Sequence, residues 1–270
     1  MISDVLRNPA KLFEVKDRVA IVTGASGTYG RATAITLTAL GGRVLLAAGS
    51  KDEVAQVAAE LREIGGDPGI IVRRADSVED ASAILDAALD KFGRVDQLVV
   101  GSGLNKPGFI HEQPLQDWQD VMNANVRGPW LMAKAVGTYW IENHIRGKVV
   151  FMSSVRGRHG NYSGYTAYCT SKGATDALVR VLATEWAKYG ITVNAIAPTV
   201  FRSKLTEWMY GDNEIGQQTR ARSLSRIPLG RLGEVEDLMG MTVYLLSPAS
   251  DFAPARSCMW TAATPQGEAV

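Results

Sequence analysis

Two cysteines and three histidines are too few for a disulfide framework or a structural zinc site, and Cys169, Cys258, His111, His144 and His159 show no ligand spacing. No metal is expected. Charge of one sign is also missing: 29 Lys and Arg stand against 28 Asp and Glu, and no basic block marks a nucleic-acid footprint. Nucleic acid is not an expected partner. No apolar run approaches the roughly 20 residues that span a membrane. Residues 1–16 carry Asp4, Arg7, Lys11, Glu14 and Lys16 in place of an apolar signal region. The expectation is a cytoplasmic protein with no membrane anchor. Linkers rich in Pro, Gly and Ser, low-complexity segments and solenoid repeats are absent as well, which favours one domain over residues 1–270.

What is present is an alternation. Short runs rich in β-branched residues occur at Arg18–Thr23, Arg43–Ala48, Gly69–Arg73, Gln97–Val100, Lys148–Ser153 and Ile191–Ala197. Stretches of helical period separate them: Tyr29–Leu40, Asp52–Ile64, Val78–Phe92, Leu115–Ile141 and Tyr168–Tyr189. Strand and helix alternating through short connections predict an α/β fold, a doubly wound parallel sheet with helices on both faces. Continuous apolar runs such as Val19–Val22 agree, because such strands are buried on both sides. Residues 1–16 precede the first strand as an extension. The span 199–226 breaks the rhythm, with Trp208, Met209 and Tyr210 among polar residues, and reads as a lid over a site.

Tyr168 and Lys172 lie four residues apart, on one face of a helix. A positive charge about 4 Å from a phenol, at an effective dielectric of about 20, lowers its pKa by about three units, which would let Tyr168 exchange a proton near neutrality. Ser154 closes an apolar run just upstream. After the first strand, Thr23-Gly24-Ala25-Ser26-Gly27-Thr28-Tyr29-Gly30 leads directly into a helical run. Gly24 permits a tight turn, Gly30 a close helix–strand approach, and the helix N-terminus offers N–H groups to a pyrophosphate. Taken singly, each has a plainer reading: a solvated helical pair, a strand-end serine, a tight turn.

Together, and in this order, these residues resemble the short-chain dehydrogenase/reductase family over Val15 to Phe252. Thr23–Gly30 is similar to its TGxxxGxG turn, Tyr168 and Lys172 to its YxxxK motif, Ser154 to its serine and Asn125 to its helix asparagine. Asp76, Asn194–Pro198 and Ile227–Arg231 add further likeness. The resemblance implies a Rossmann-type sheet and reversible hydride transfer between a secondary alcohol and a ketone. It implies Tyr168 as general acid or base, Ser154 as partner of the substrate oxygen, Lys172 as a group that lowers the tyrosine pKa and holds ribose, and Asn125 as holder of a relay water. The cofactor residues it implies are Gly24, Ser26, Gly27, Thr28, Tyr29, Gly30, Ser50, Lys51, Asp76, Ser102, Gly103, Tyr168, Lys172, Pro198, Val200 and Ser203. Asp76 reads equally as an N-cap for the helix from Val78.

Departures from the family pattern are informative. Thr28 stands where a middle glycine is usual, Val100-Gly101-Ser102-Gly103 replaces Asn-Asn-Ala-Gly, and Thr199 follows Pro198 in place of glycine. An acidic residue after the second strand receives the ribose hydroxyls of NAD, and here that position is Ala48. Ser50 and Lys51 lean the expectation to NADP over NAD. The ending also departs: residues 253–270 lack the family's Asp-Gly-Gly strand. Deleting one base from a family-like coding sequence reproduces the run from Ala253 to Gly267, so a shifted reading frame is one account of this tail.

The expected function is an NAD(P)-dependent oxidoreductase, of carbonyl-reductase type, acting on a small hydroxyketone, polyol or sugar acid. A 3-oxoacyl-[acyl-carrier-protein] reductase is the alternative enzyme, and a non-catalytic dinucleotide-binding regulator the alternative of another class. A homo-oligomer, tetramer or dimer, is the expected assembly.

Overall fold

A computed structural model describes residues 3–160, 163–253 and the backbone of 257–258. The β-branched runs form β1 (Val19–Thr23), β2 (Arg43–Ala48), β3 (Gly69–Val72), β4 (Gln97–Val100), β5 (Lys148–Met152), β6 (Thr192–Ile196) and the two-residue β7 (Ser257–Cys258). They pair in parallel as a single sheet of order β3-β2-β1-β4-β5-β6-β7. Every residue of β1 and β4 is buried, as a sheet covered on both faces requires.

The helices are α1 (Asp4–Arg7), α2 (Thr28–Ala39), α3 (Lys51–Glu63), α4 (Val78–Phe92), α5 (Leu115–Met122), α6 (Gly128–Glu142), α7 (Thr166–Trp186), α8 (Glu214–Leu224) and α9 (Met239–Leu246). Strand residues alternate between two cores because successive side chains point to opposite faces. Ile21, Leu45, Val149 and Phe151 pack with α4, α6 and α7, whereas Ala20, Val22, Leu46 and Val150 pack with α2, α3 and α9. This is the doubly wound arrangement the alternation predicts.

Three local readings change. The run Leu115–Ile141 is not one regular helix, since a π-helical turn at Asn123–Arg127 separates α5 from α6 and carries Asn125. Such turns insert a residue into the helical ladder and re-aim the side chains around it. Asp76 is not the cap of α4; Ser77 is, accepting the Asp80 N–H at 3.1 Å. The 199–226 excursion folds into a short 3-10 turn, Glu207–Met209, and α8, whose cap Asn213 accepts the Gly216 N–H at 2.6 Å. At the far edge, the backbone of Ser257 and Cys258 pairs with Ala195 and Ile196 of β6. Residues 254–256 and 259–270, and with them most of the shifted-frame reading, lie outside the described residues.

The α4–α6–α7 core is closed by Trp140, which is fully buried, donates its indole N–H to the Val95 carbonyl at 2.8 Å and covers Gly147 so closely that a Cβ there would sit 2.2 Å from the ring. Trp140→Ala therefore opens a large cavity and orphans a carbonyl. The expected loss is about 3–5 kcal/mol in denaturant unfolding; a loss below about 1 kcal/mol would show that this core is not packed as described.

Candidate active site

β1 has β2 on one side and β4 on the other, so the chain turns opposite ways from neighbouring strand ends, and a crevice opens at their carboxyl edge. Gly24 turns there with φ 62°, and a Cβ on it would lie 2.6 Å from the Ser102 nitrogen. A Cβ on Gly30 would lie 2.3 Å from the Gly24 carbonyl oxygen. Glycine is thus required sterically at both positions. Where the usual Asn-Asn pair is replaced, Ser102 donates its hydroxyl to Thr23 at 2.9 Å and ties β4 to β1.

The start of α2 is built to hold an anion. Ser50, Ser77 and Asn213 cap α3, α4 and α8 through their side chains, but α2 begins after Gly27, which has no side chain to satisfy the first N–H groups. Those donors, beside backbone that no Cβ obstructs, fit the diphosphate of a dinucleotide. Of the predicted residues in this turn, Gly24, Ser26, Gly27, Thr28 and Gly30 surround the cradle. The Tyr29 side chain does not. It is buried against α9, bonds Thr242 at 3.1 Å, and burial pushes its phenol up to about 12. Tyr29 contributes core packing and a backbone N–H.

The second cluster lies along one face of α7, where Tyr168, Ser171, Lys172, Thr175 and Asp176 recur at helical spacing. All five meet the ends of β5 and the π-helical turn. Lys172 Nζ donates to the Met152 carbonyl at 2.7 Å, and Asp176 accepts the Ser153 hydroxyl at 2.6 Å. Ser154 hydrogen-bonds the Tyr168 hydroxyl, and its Oγ also accepts the Arg156 N–H at 3.2 Å. Asn125 Oδ1 accepts the Leu104 N–H at 2.7 Å, while Nδ2 donates to the Leu104 carbonyl and to Ser171 Oγ, each at 2.9 Å. Both of its amide hydrogens are used in fixing the loop after β4 and α7, and its backbone carbonyl accepts the Thr175 hydroxyl at 3.3 Å, with a second lone pair left for a water. Gly103 forms the floor: a Cβ there would lie 3.8 Å from Asn125 Oδ1 and 3.9 Å from Lys172 Nζ. Pro198 closes the side wall by accepting the Val155 N–H at 3.2 Å.

The electrostatics correct one expectation. The Tyr168 phenol is raised, not lowered, because burial disfavours the phenolate more than the Ser154 hydrogen bond and the Arg156 charge favour it. Lys172 Nζ donates to a carbonyl and lies 5.6 Å from the centre of the tyrosine ring. Burial in turn lowers the Lys172 ammonium to about 8, against a partial counter-effect of Asp176. The site holds a neutral phenol that can donate a proton and a cation close to losing its own.

The other predicted residues spread along the crevice. Ser50 caps α3 and Lys51 opens it, exposed; Asp76 is exposed just after β3. Ser203 shares a hydrogen bond with Thr206 at 3.2 Å, and the Val200 carbonyl accepts the Gly233 N–H at 3.1 Å, which fixes the start of the 199–226 excursion. Sequence reasoning missed four groups. Arg156 follows Ser154 by two residues and holds the Gly160 carbonyl at 2.9 Å. Asp176 lies one turn beyond Lys172. Lys204 pairs with Glu53 at 2.9 Å, and Arg74 lies against Gly49. Helical spacing could have shown Asp176; the last two contacts depend on how loops fold over the sheet.

A family profile for short chain dehydrogenases matches residues 18–213. An uncharacterised oxidoreductase of Mycobacterium tuberculosis is 46% identical over 242 residues, covering 89% of this chain and 88% of that protein. The 2-dehydro-3-deoxy-D-gluconate 5-dehydrogenase of Escherichia coli is 32% identical over 262 residues, covering 89% and 92%. Among solved structures, an NAD+-bound xylitol dehydrogenase superposes with a TM-score of 0.86 at 26% identity, over 93% of this chain and all of that one. The chain belongs to the short-chain dehydrogenase/reductase family and is an oxidoreductase of the nicotinamide-dependent type.

Because the folded Lys172 pKa of about 8 lies below the ordinary lysine value, the unfolded chain holds more protons between the two, and this group's contribution to stability rises with pH across that window. The buried ammonium therefore destabilises the ligand-free fold at neutral pH. Lys172→Met is expected to gain about 1–3 kcal/mol at pH 7 after the lost Met152 hydrogen bond is counted, with the gain shrinking toward about pH 10. Denaturant unfolding across that range reads it; a variant less stable at pH 7 would mean that the ammonium is fully compensated.

Proposed function

We propose that this enzyme interconverts a secondary alcohol and a ketone on a small hydroxy acid of the sugar-acid type, with NADP as its preferred cofactor. The observation that carries the substrate reading is the Arg156 charge, close enough to the Tyr168 hydroxyl to favour its ionised form and to act on Cys169 beside it. A guanidinium at the mouth of a proton-transfer site suits a substrate with a carboxylate. The likeness to a deoxygluconate dehydrogenase supports the same class.

In reduction, Tyr168 gives its proton to the ketone oxygen while Ser154 donates a hydrogen bond to the oxygen as it gains charge. In oxidation the same phenol oxygen takes the alcohol proton. When bound, a nicotinamide dinucleotide supplies or accepts the hydride. Lys172 holds positive charge beside the relay, and the Asn125 backbone positions the water that refills it. Gly24, Ser26, Gly27, Thr28 and Gly30 hold the diphosphate, Gly103, Pro198, Val200 and Ser203 line the nicotinamide side, and Ser50, Lys51 and Asp76 the adenosine side. Ala48 offers no carboxylate to a ribose diol, which supports NADP. Exposed Trp118, Trp130 and Val181 on α5, α6 and α7 support a homo-oligomer, dimer or tetramer, and a cytoplasmic location goes with this reading.

Tyr168→Phe is expected to lower kcat by about 10²–10⁴ with dinucleotide affinity retained. A variant that keeps turnover would remove Tyr168 from the chemistry, whereas a wild-type chain that binds dinucleotide but turns over no substrate would favour the regulator. A panel of sugar acids, polyols, hydroxyketones and carrier-protein thioesters tests the substrate. Acids should be preferred, and Arg156→Ala should raise KM about tenfold for acids alone. Equal turnover of neutral polyols, or a preference for thioesters, would overturn the sugar-acid assignment.

A further inference from the structure

At the adenosine end of the crevice the sheet edge presents an arginine that nothing else in the described structure uses. β2 and β3 run in parallel with Ala48 opposite Val72, so the next residues along each strand, Gly49 with Arg73 and Ser50 with Arg74, leave the sheet side by side. The Arg74 side chain crosses back over Gly49. A Cβ built on Gly49 would lie 2.5 Å from Arg74 Nε and 3.2 Å from its Cζ, so the arginine lies close over that glycine and any larger residue there must push it aside. Gly49 has no positive φ, so its backbone conformation does not explain the choice of glycine. Contact with Arg74 does.

Two neighbouring charge pairs are already made. Arg73 pairs with Asp80 at 2.6 Å, and Glu53 pairs with Lys204 at 2.9 Å. Arg74 has no hydrogen bond or ion pair among the described residues and is exposed at the crevice, as is Lys51. Ser50 Oγ is committed as an acceptor to the Glu53 N–H, at 3.4 Å. Its hydroxyl proton stays available. The ridge therefore offers a fork of guanidinium donors, an ammonium and a hydroxyl proton, and at Ala48 it lacks the acceptor that a ribose diol would use. A phosphate monoester has three acceptor oxygens and nearly two negative charges, which matches that set; a free 2′-hydroxyl does not.

We propose that Arg74, seated across Gly49, is the residue by which this enzyme recognises the 2′-phosphate of NADP. The inference rests on the NADP reading above and names its principal determinant, which lies after β3 and not on the β2 loop to which the sequence pointed. Lys51 adds charge, and Arg74 adds the planar, two-point geometry that discriminates.

The test is binding without turnover. Titration calorimetry measures 2′,5′-ADP, 5′-ADP, NADPH and NADH on the wild-type enzyme and on Arg74→Ala, Arg74→Lys and Gly49→Val. The wild type should bind 2′,5′-ADP about tenfold or more tightly than 5′-ADP. Arg74→Ala should erase that gap and leave 5′-ADP within about twofold, Arg74→Lys should retain part of it, and Gly49→Val should behave like Arg74→Ala by evicting the guanidinium. A gap that survives in Arg74→Ala overturns the role of Arg74 and leaves NADP preference standing. Equal weakening of both nucleotides by Arg74→Ala assigns Arg74 to the local fold and overturns the proposal. No gap in the wild type overturns the NADP reading and the proposal with it.

Discussion

An ammonium inside a protein is the constraint around which this site is arranged. Lys172 is 3% exposed, and an isolated charge at that depth costs several kcal/mol unless neighbours replace its water. The sequence of α7 supplies them at helical spacing. Asp176, itself buried, stands one turn away and is anchored by Ser153, while the Met152 carbonyl at the carboxyl end of β5 accepts a hydrogen bond from the ammonium. Ser171 and Thr175 on the same face bind Asn125 by side chain and backbone carbonyl, which locks α7 to the π-helical turn. One polar stripe on an otherwise core-facing helix thus joins β5, the loop after β4 and the α5–α6 junction. Lys172 sits within that stripe, with the tyrosine one turn before it and the floor glycine facing its ammonium.

The incomplete compensation is part of the chemistry. A lysine brought to about 8 and a phenol pushed above its solution value are the two faces of one dry environment. Water would relax both. Burial keeps the phenol protonated and therefore able to donate, and it strengthens each charge effect that a bound ligand introduces. A motif read from sequence gives the partners and their order, but the sign of the net shift depends on desolvation, which is a property of the closed fold.

The same distinction separates what was legible from what was not. Strand runs and helix periods predicted the parallel sheet because burial on two faces leaves a plain pattern: five apolar or small residues in β1, buried throughout. Gly24 and Gly30 were legible because a backbone approach below 3 Å admits no other residue. The direction of the Tyr29 side chain was not legible, because a position in the turn does not reveal it; a phenol two residues into α2 reaches Thr242, more than two hundred residues away in sequence. Asp76 and Ser77 were confused because both are N-cap residues and only geometry decides between neighbours. Arg74 was invisible for a related reason. Its partner is a backbone α-carbon on another strand, and no spacing rule encodes that contact.

Thr28, an apparent defect in the glycine-rich turn, acquires a reason from the lid. Its hydroxyl accepts the Lys204 N–H at 3.3 Å, and Lys204 Nζ reaches across to Glu53 at 2.9 Å. Glu53 also accepts from Ser26, the residue between the two glycines, and these contacts hold its carboxyl below the usual range. A glycine at position 28 could make no such bond. The segment after β6 is therefore fastened to the glycine-rich turn by contacts that are exposed and salt-sensitive, the kind that contribute little to global stability.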